Sequence, residues 1–304
     1  MKKLAVLALV GLAAAVSART ALGDEKLAFK LDDKGNFVFD TGVVKGALVK
    51  DAAKAPGIKP ISLVNPPVQI DNANGLLIPY RFLTPEKRFG VGAWEWPRTG
   101  KLLDDGSAQL TWLACQDRPF EVSVAYRFSA PDTLDATITF KAGCDLPKFE
   151  LFVGSYFKAF PEARVYVKDA GEGKPGFLDA PKDKGAWHCF PKGDEVLPHI
   201  KDGRWKHPPY PLDWTFRPAF AAPLGMRRQP KSGACVLLMA PPQDCFALFM
   251  PEQAMGLGSL YFTLFGKDVQ KGQTLVSHPR LVFGKNITDE QAVAKYQEYL
   301  KTLE

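Results

Sequence analysis

The chain has 304 residues, 46% of them hydrophobic and 24% charged, with a formal net charge of +6. Such a length can bury a substantial core, as one large β domain or two small ones. Acids and bases are nearly balanced without lysine or arginine runs, which excludes a nucleic-acid stripe; the absence of a Gly-Lys-Ser/Thr phosphate loop, a dinucleotide fingerprint and a Gly-x-Ser-x-Gly elbow excludes the enzyme classes built on them.

The chain opens on MKKLAVLALVGLAAAVSA, residues 1–18: two lysines, an apolar run and small residues at Val16 and Ala18. This pattern predicts a secretory signal cleaved after Ala18, with ALG at 21–23 as a second cut site. The run is too short for a membrane span, so the product is expected in the periplasm or medium without stable membrane insertion. Removal of Lys2 and Lys3 with the signal takes the charge from +6 to +4.

From residue 27 onward the alternation has a period of two, the mark of strands. LAFKL and FVFDT flank the turn DDKGN, predicting a hairpin. Asp71, Asn72 and Asn74 before Gly75 read as an Asx turn rather than a calcium loop, since the regular ligand spacing and closing glutamate are missing. GAWEWP at 92–97 is expected to be extended, with Trp94 and Trp96 on one face and Glu95 on the other. Tryptophan can floor a pyranose while an acid or arginine holds its hydroxyls. Arg81, Trp94, Glu95 and Trp96 are therefore candidate sugar contacts, with Arg88 and Arg98 as further rim cations; two tryptophans plugging the core is the competing reading.

FEVSVAYRF puts Phe120, Val122, Val124, Tyr126 and Phe128 on one face. Further strands are expected at AQLTWLA, LDATITF, FELFVGSYF, RVYVKD, ACVLLMA, CFALFM, SLYFTLF and TLVSHPRLVF, the pattern of an all-β sandwich or barrel. Residues 170–218 break the rhythm and are rich in Gly, Pro, Lys, Trp and His, as functional loops are. Within them, Pro208, Pro209 and Pro211 rule out a regular helix. Trp187, Trp205 and Tyr210 are candidate ligand contacts, and His188 and His207 candidate proton carriers. Packing that keeps a long loop ordered would use the same rings.

The histidines lack metal-ligand spacing, so neither metal nor cofactor is expected. If PPQD at 241–244 turns a hairpin, Cys235 and Cys245 stand about 16 Å apart at ~3.3 Å per residue and cannot pair. Free thiols are the preferred reading of the five cysteines, a Cys115–Cys144 bridge the minority one. At the C-terminus, Thr288 and Gln291 make a capping box for a helix at 289–302 that turns Ala292, Tyr296, Tyr299 and Leu300 inward.

Five segments in order, GAWEW, DDGSAQLTW, DRPFEVSVAYRFSAPDTLDATITF, LPKFELFVGSYF and KGQTLVSHPRLVFG, resemble the galactose mutarotase-like (aldose 1-epimerase-like) superfamily over roughly a third of the mature chain. The resemblance implies a β-supersandwich with a concave, sugar-facing surface, here in one domain at 24–304. In the epimerases of that superfamily a histidine two residues before a Tyr-Phe pair protonates the ring oxygen, and a glutamate near the C-terminus removes the anomeric proton. Tyr156 and Phe157 match the pair, but Gly154 stands at the histidine position, and the usual upstream His-Gly-Gly is replaced by NANGLLIPYRFL. Glu252, in FMPEQA, falls near the family glutamate.

The expectation is an exported, mutarotase-like protein that binds a mono- or polysaccharide, anionic ones included. Two alternatives stand beside it: an epimerase, lyase or hydrolase with relocated acid and base from Glu252, Glu150, His188 or His207, and an extracytoplasmic interaction protein without sugar chemistry.

Overall fold

A computed structural model describes residues 25–50, 56–253 and 255–304, so the signal expected at 1–18 lies outside the described residues. In chain order the strands are β1 (Lys30–Leu31), β2 (Phe37–Asp40), β3 (Val44–Val49), β4 (Gly57–Leu63), β5 (Val68–Gln69), β6 (Ile78–Leu83) and β7 (Thr99–Leu102). There follow β8 (Ala108–Trp112), β9 (Phe120–Ala130), β10 (Thr133–Ala142), β11 (Leu146–Tyr156), β12 (Glu162–Val167), β13 (Gly176–Asp179) and β14 (Trp187–Pro191). The last third holds a short helix α1 (Leu197–Ile200), then β15 (Thr215–Phe216), β16 (Phe220–Gln229), β17 (Ala234–Met239), β18 (Cys245–Pro251), β19 (Ser259–Val269), β20 (Thr274–Ser277), β21 (Arg280–Lys285) and helix α2 (Asp289–Lys301).

The strands form three sheets. The first is a meander, β1-β2-β3-β4-β5. The second is ten-stranded, in the order β13-β12-β16-β17-β21-β10-β9-β8-β7, with β20 also paired to β10. The third is six-stranded, β15-β14-β18-β19-β11-β6. One core lies between them: Phe39 and Leu48 from the first sheet, Val124, Phe140 and Val236 from the second, and Leu151 and Phe262 from the third belong to a single buried cluster. Burying one face of each antiparallel sheet against the others is what the period-two pattern demands. All five apolar positions of β9 named in the sequence are buried.

The ten-stranded sheet carries a second apolar layer, in which Leu224, Leu237 and Met239 meet Tyr296 and Tyr299 of α2. The capping box forms as the sequence requires: Thr288 Oγ1 accepts from the Gln291 N–H at 3.2 Å, and Gln291 Oε1 from the Thr288 N–H at 3.0 Å. The Asx turn forms too, with the Asn74 N–H donating to Asn72 Oδ1 at 2.9 Å.

Three expectations are corrected. PPQD does turn the chain, with the Asp244 N–H donating to the Pro241 carbonyl at 3.1 Å, but it carries the chain from one sheet to another. β17 already has β16 and β21 beside it, and β18 has β14 and β19; continuous apolar runs are central strands, so neither has an edge free for the other. All five cysteines are free, Cys115 exposed and Cys189, Cys235 and Cys245 buried. Second, residues 170–218 are not a bare loop: β14 enters the six-stranded sheet against β18, and β13 closes the edge of the ten-stranded one. Third, Ala93–Glu95 is a 3-10 turn, not part of a strand.

Candidate functional site

The six-stranded sheet has two faces, and β11 supplies both. Leu151 and Val153 enter the shared core, while Phe152 and Tyr156 join a separate cluster on the other side. On that side Phe152 stacks on Tyr261 with ring centroids 4.6 Å apart, and Tyr156 meets Tyr261 edge-on at 5.6 Å. Tyr80, from β6, stacks on Trp94 at 4.1 Å, and Trp94 lies 6.4 Å from Tyr156. The strand alternation thus builds an aromatic floor, and the 3-10 turn swings Trp94 over it.

The same turn separates the two tryptophans predicted to share a face. Trp96 points into the shared core, 4.8 Å from the Phe82 ring, with the Arg118 guanidinium over its ring at 4.3 Å. Glu95, between them, is exposed. A residue step of about 100° to 120° in a helical turn replaces the 180° of a strand, so i and i+2 no longer coincide.

Two arginines stand at the floor. Arg81, opposite Phe152 in the β6–β11 register, has its guanidinium 5.0 Å from the Tyr80 ring and 5.2 Å from that of Trp205. Arg88 lies 5.8 Å from the Tyr80 ring. They are 4% and 8% exposed, yet no carboxylate pairs with either among the described residues. Their partners are mainly carbonyls: Arg81 Nη1 donates to Tyr210 at 3.3 Å, and Arg88 donates from Nε to Gly90 at 3.1 Å and from its two terminal nitrogens to Pro209 and Val91, with the Tyr80 hydroxyl also acting on Arg88. Arg81 Nε is buried with no partner among the described residues. Burial lowers the Arg88 pKa, and the positive charge of Arg81 lowers it further.

Residues 202–214 form a strap over this face. Gly203 turns the chain at a left-handed φ of 98°, starting the 3-10 turn Arg204–Lys206. A 2.9 Å bond from the Leu212 N–H to the Trp205 carbonyl closes the neck, and Lys206 pairs with Asp213 across it. Trp205 is buried against Phe152 at 4.8 Å and Trp214 at 4.9 Å. His207 Nε2 bonds the Pro85 carbonyl at 2.9 Å, and Tyr210, 61% exposed with φ of 64°, stands at the tip.

A buried ionic anchor holds the strap to the sheet. Arg204 donates to Glu150 Oε2 at 3.0 Å and to Asp202 Oδ2 at 2.7 Å, and Thr263 Oγ1 donates to Glu150 Oε1 at 2.6 Å. Burial raises the Glu150 pKa against the pull of Arg204. For Asp202 burial acts upward as well, but the hydrogen bonds and charge of Arg204 win and hold it below the usual carboxylate range. Glu150, one of the relocated acids considered from sequence, is thus committed to Arg204.

Arg81, Trp94, Trp205 and Tyr210 are therefore brought together, with Arg88 and His207 beside them. Trp187 joins through Trp214, whose ring centroid is 6.0 Å away. His188 lies elsewhere. It alternates with Cys189 on β14, so it faces away from the aromatic cluster that Cys189 joins; its Nε2 bonds the Gly185 carbonyl at 2.9 Å and its Nδ1 is buried unpartnered. Burial and then the Arg217 charge lower its pKa, while Glu252 acts to raise it. Glu252 is buried just beyond β18, at the sheet end where Pro251 opposes Trp187.

Gly154, on β11, leaves little room for a side chain. A Cβ there would lie 3.0 Å from the Tyr156 ring and 3.3 Å from the Tyr261 ring. Tyrosine rings fill the room a histidine would need. Burial pushes the Tyr156 pKa well up and that of Tyr261 to about 12, so both hydroxyls stay protonated as hydrogen-bond donors.

Tyr80 and Tyr261 were missed from sequence because an aromatic in an alternating strand looks like core. The anchor had a signal: Glu150 is a lone carboxylate in the apolar run FELFV. A cleft of about 200 Å³ adjoins the strap between Lys201, Trp205, Asp213, Trp214 and Phe216. A roomier concavity of about 700 Å³ beside the first sheet is lined by Lys59, Gln69, Asp71 and Lys158 and has no aromatic wall.

No protein-family model matches this sequence, and no curated protein matches it. Among solved structures, the Slr1438 protein from Synechocystis sp. PCC 6803 superposes with a TM-score of 0.52 at 11% identity, over 86% of this chain and 97% of its own. A quadruple mutant of the alpha-N-acetylgalactosaminidase NagBb from Bifidobacterium bifidum gives 0.52 at 7% identity over 87% of this chain, which spans only 39% of that enzyme. The GalM/aldose epimerase homologue from C. elegans aligns over 82% of this chain and 98% of its own at 8% identity, with a TM-score of 0.48. At these identities the likeness concerns the fold. With stacked antiparallel sheets and a short C-terminal helix, that fold is an all-β sandwich, as the ordered strand motifs predict.

Proposed function

We propose that this chain is an exported carbohydrate-binding protein, acting in carbohydrate metabolism, that takes its sugar, acidic sugars included, on the outer face of the six-stranded sheet. The carrying observation is the convergence of Trp94, Tyr80 and Trp205 with the Arg81 guanidinium: rings for a sugar's C–H face beside a fork of N–H donors for its hydroxyls. Tyr210 and His207 lie at the tip of the strap, Trp187 joins through Trp214, and the exposed Glu95, next to Trp94, supplies an acceptor.

Binding without epimerisation is the favoured role. Ring opening needs an acid and a base on opposite sides of the sugar; the family's acid is replaced by Gly154, and the tyrosines beside it hold their protons. The full chain is tested by calorimetric titration with galactose and N-acetylgalactosamine and by polarimetry of freshly dissolved α-galactose. Saturable binding abolished by Trp94→Ala, with mutarotation at the buffer rate, supports the reading. Binding unaltered by Trp94→Ala places the sugar elsewhere and refutes it.

The enzyme alternative is favoured by the placement of Glu252 and His188 at the same end of the six-stranded sheet, where β14 pairs with β18. Turnover lost in Glu252→Gln would establish it, and a folded chain that neither binds nor converts sugars would point to the interaction protein. Export is checked by mass spectrometry of the extracytoplasmic product for a new N-terminus after Ala18.

A further inference from the structure

Arg81 and Arg88 are an unusual pair. Arginine stays charged in proteins, and a buried charge is costly unless an opposite charge or a full set of hydrogen bonds answers it. These two lie against the same tyrosine ring, buried, and Arg88 feels the charge of Arg81. Arg204, in the strap itself, is answered by Glu150 and Asp202; Arg227, buried on β16, meets the Phe160 and Ser259 carbonyls but has, among the described residues, no second arginine on the same ring. At Arg81 and Arg88 the acceptors are neutral, and Arg81 Nε has none among the described residues.

The strap contacts are consecutive carbonyls: Pro209 takes Arg88 Nη1 and Tyr210 takes Arg81 Nη1. Neighbouring residues are 3.8 Å apart along the chain, so the two guanidiniums present donors over a span that one sugar ring with an acid substituent covers. The tip that makes these contacts is held elsewhere by the Trp205–Leu212 neck, the Glu150–Arg204 anchor and the His207–Pro85 bond, all of which can persist while residues 208–211 move.

Resting on the carbohydrate reading above, we propose that Arg81 and Arg88 form a subsite for the anionic group of an acidic sugar, and that the Pro209 and Tyr210 carbonyls compete with that group for the same donors. An anionic oxygen adds charge–charge attraction and bidentate geometry to the hydrogen bond that a neutral carbonyl accepts from guanidinium, so the acid displaces the strap tip where a neutral sugar does not. Trp205, stacked beside Arg81, reports the displacement by fluorescence.

The full chain is titrated with galacturonate, galactose 6-sulfate, galactose and the uncharged methyl ester of galacturonate. Galacturonate or the sulfate is expected to bind about tenfold more tightly than galactose, the stronger of the two identifying the acid group, with the methyl ester binding like galactose. An acid preference below about threefold overturns the proposal and leaves the carbohydrate reading standing; if no ligand binds, both fall. Arg88→Gln, checked for a cooperative melt, is expected to bring the acid-to-neutral ratio near one, and an undiminished ratio overturns the subsite. Should that variant fail to fold, the wild type decides: raising NaCl from about 20 to about 500 mM weakens galacturonate binding selectively through screening, and equal effects on galacturonate and galactose overturn it.

Discussion

Replacing Arg204 by Met tests whether the strap is held by its ionic anchor. The substitution keeps a long, flexible side chain in the cavity and removes only the guanidinium. Both Arg204 and Glu150 are fully buried, and without Arg204 the carboxylate keeps a single charge-relieving partner, the Thr263 hydroxyl at 2.6 Å. Breaking a buried pair from one side costs about 3–5 kcal/mol. Glu150 escapes part of this by taking up a proton, which its burial-raised pKa already favours, so a loss of about 3 kcal/mol is expected at pH 7. Its folded pKa would then lie further above the unfolded one, so the deficit shrinks as pH falls toward 5. Adding Glu150→Gln removes the stranded charge and restores roughly 2 kcal/mol. Urea denaturation followed by tryptophan fluorescence gives all three stabilities, and near-UV circular dichroism reports the packing of Trp205. A single variant within about 1 kcal/mol of wild type, or a double variant no better than the single, would refute the anchor.

Further predictions separate packing from binding. Trp96→Ala, in the shared core, is expected to cost about 3–5 kcal/mol in urea denaturation, whereas Trp94→Ala costs less and lowers sugar affinity in titration; the reverse ranking would reverse their roles. Gly154→His introduces the residue that the resemblance to epimerases implies there but drives it into the Tyr156 and Tyr261 rings, so a stability loss of about 1–3 kcal/mol without accelerated mutarotation is expected, measured by thermal melts and polarimetry. His199 packs edge-on against Phe246 at 4.9 Å, and burial followed by the Arg204 charge lowers its pKa to about 4. The unfolded chain takes up that proton at about 6.5, so this group's contribution is fully present above that pH and lost as pH falls toward 4, by up to about 3 kcal/mol. His199→Leu should flatten that part of the pH–stability profile in denaturant titrations, and an unchanged slope would contradict the assignment.

Local chemistry wrote part of this molecule directly into its residues. The inward face of β9, the Asx turn at Asn72 and the capping box of α2 each depend on side chains a few positions apart, and each forms as read. The ordered motifs carried the sandwich architecture for the same reason, since period-two alternation states that a strand is half buried. Alternation cannot say which sheet a strand joins when both faces are apolar. For β17 and β18 the partners were decided by the rest of the core, and PPQD became a passage between sheets.

The site shows the same division more sharply. Trp94 and Trp96, Arg81 and the residues of the strap were visible as chemistry, but their convergence depended on contacts across long separations. A 3-10 turn at Ala93–Glu95 sent the two tryptophans to different clusters. Glu150 met Arg204 across 54 positions, and Arg81 met the Tyr210 carbonyl across 129. The sequence by itself determined which groups were available, because polarity, ring structure and backbone freedom belong to each residue. Tertiary structure alone decided which of them lost water together, and that shared desolvation makes two arginines and a few rings a candidate site.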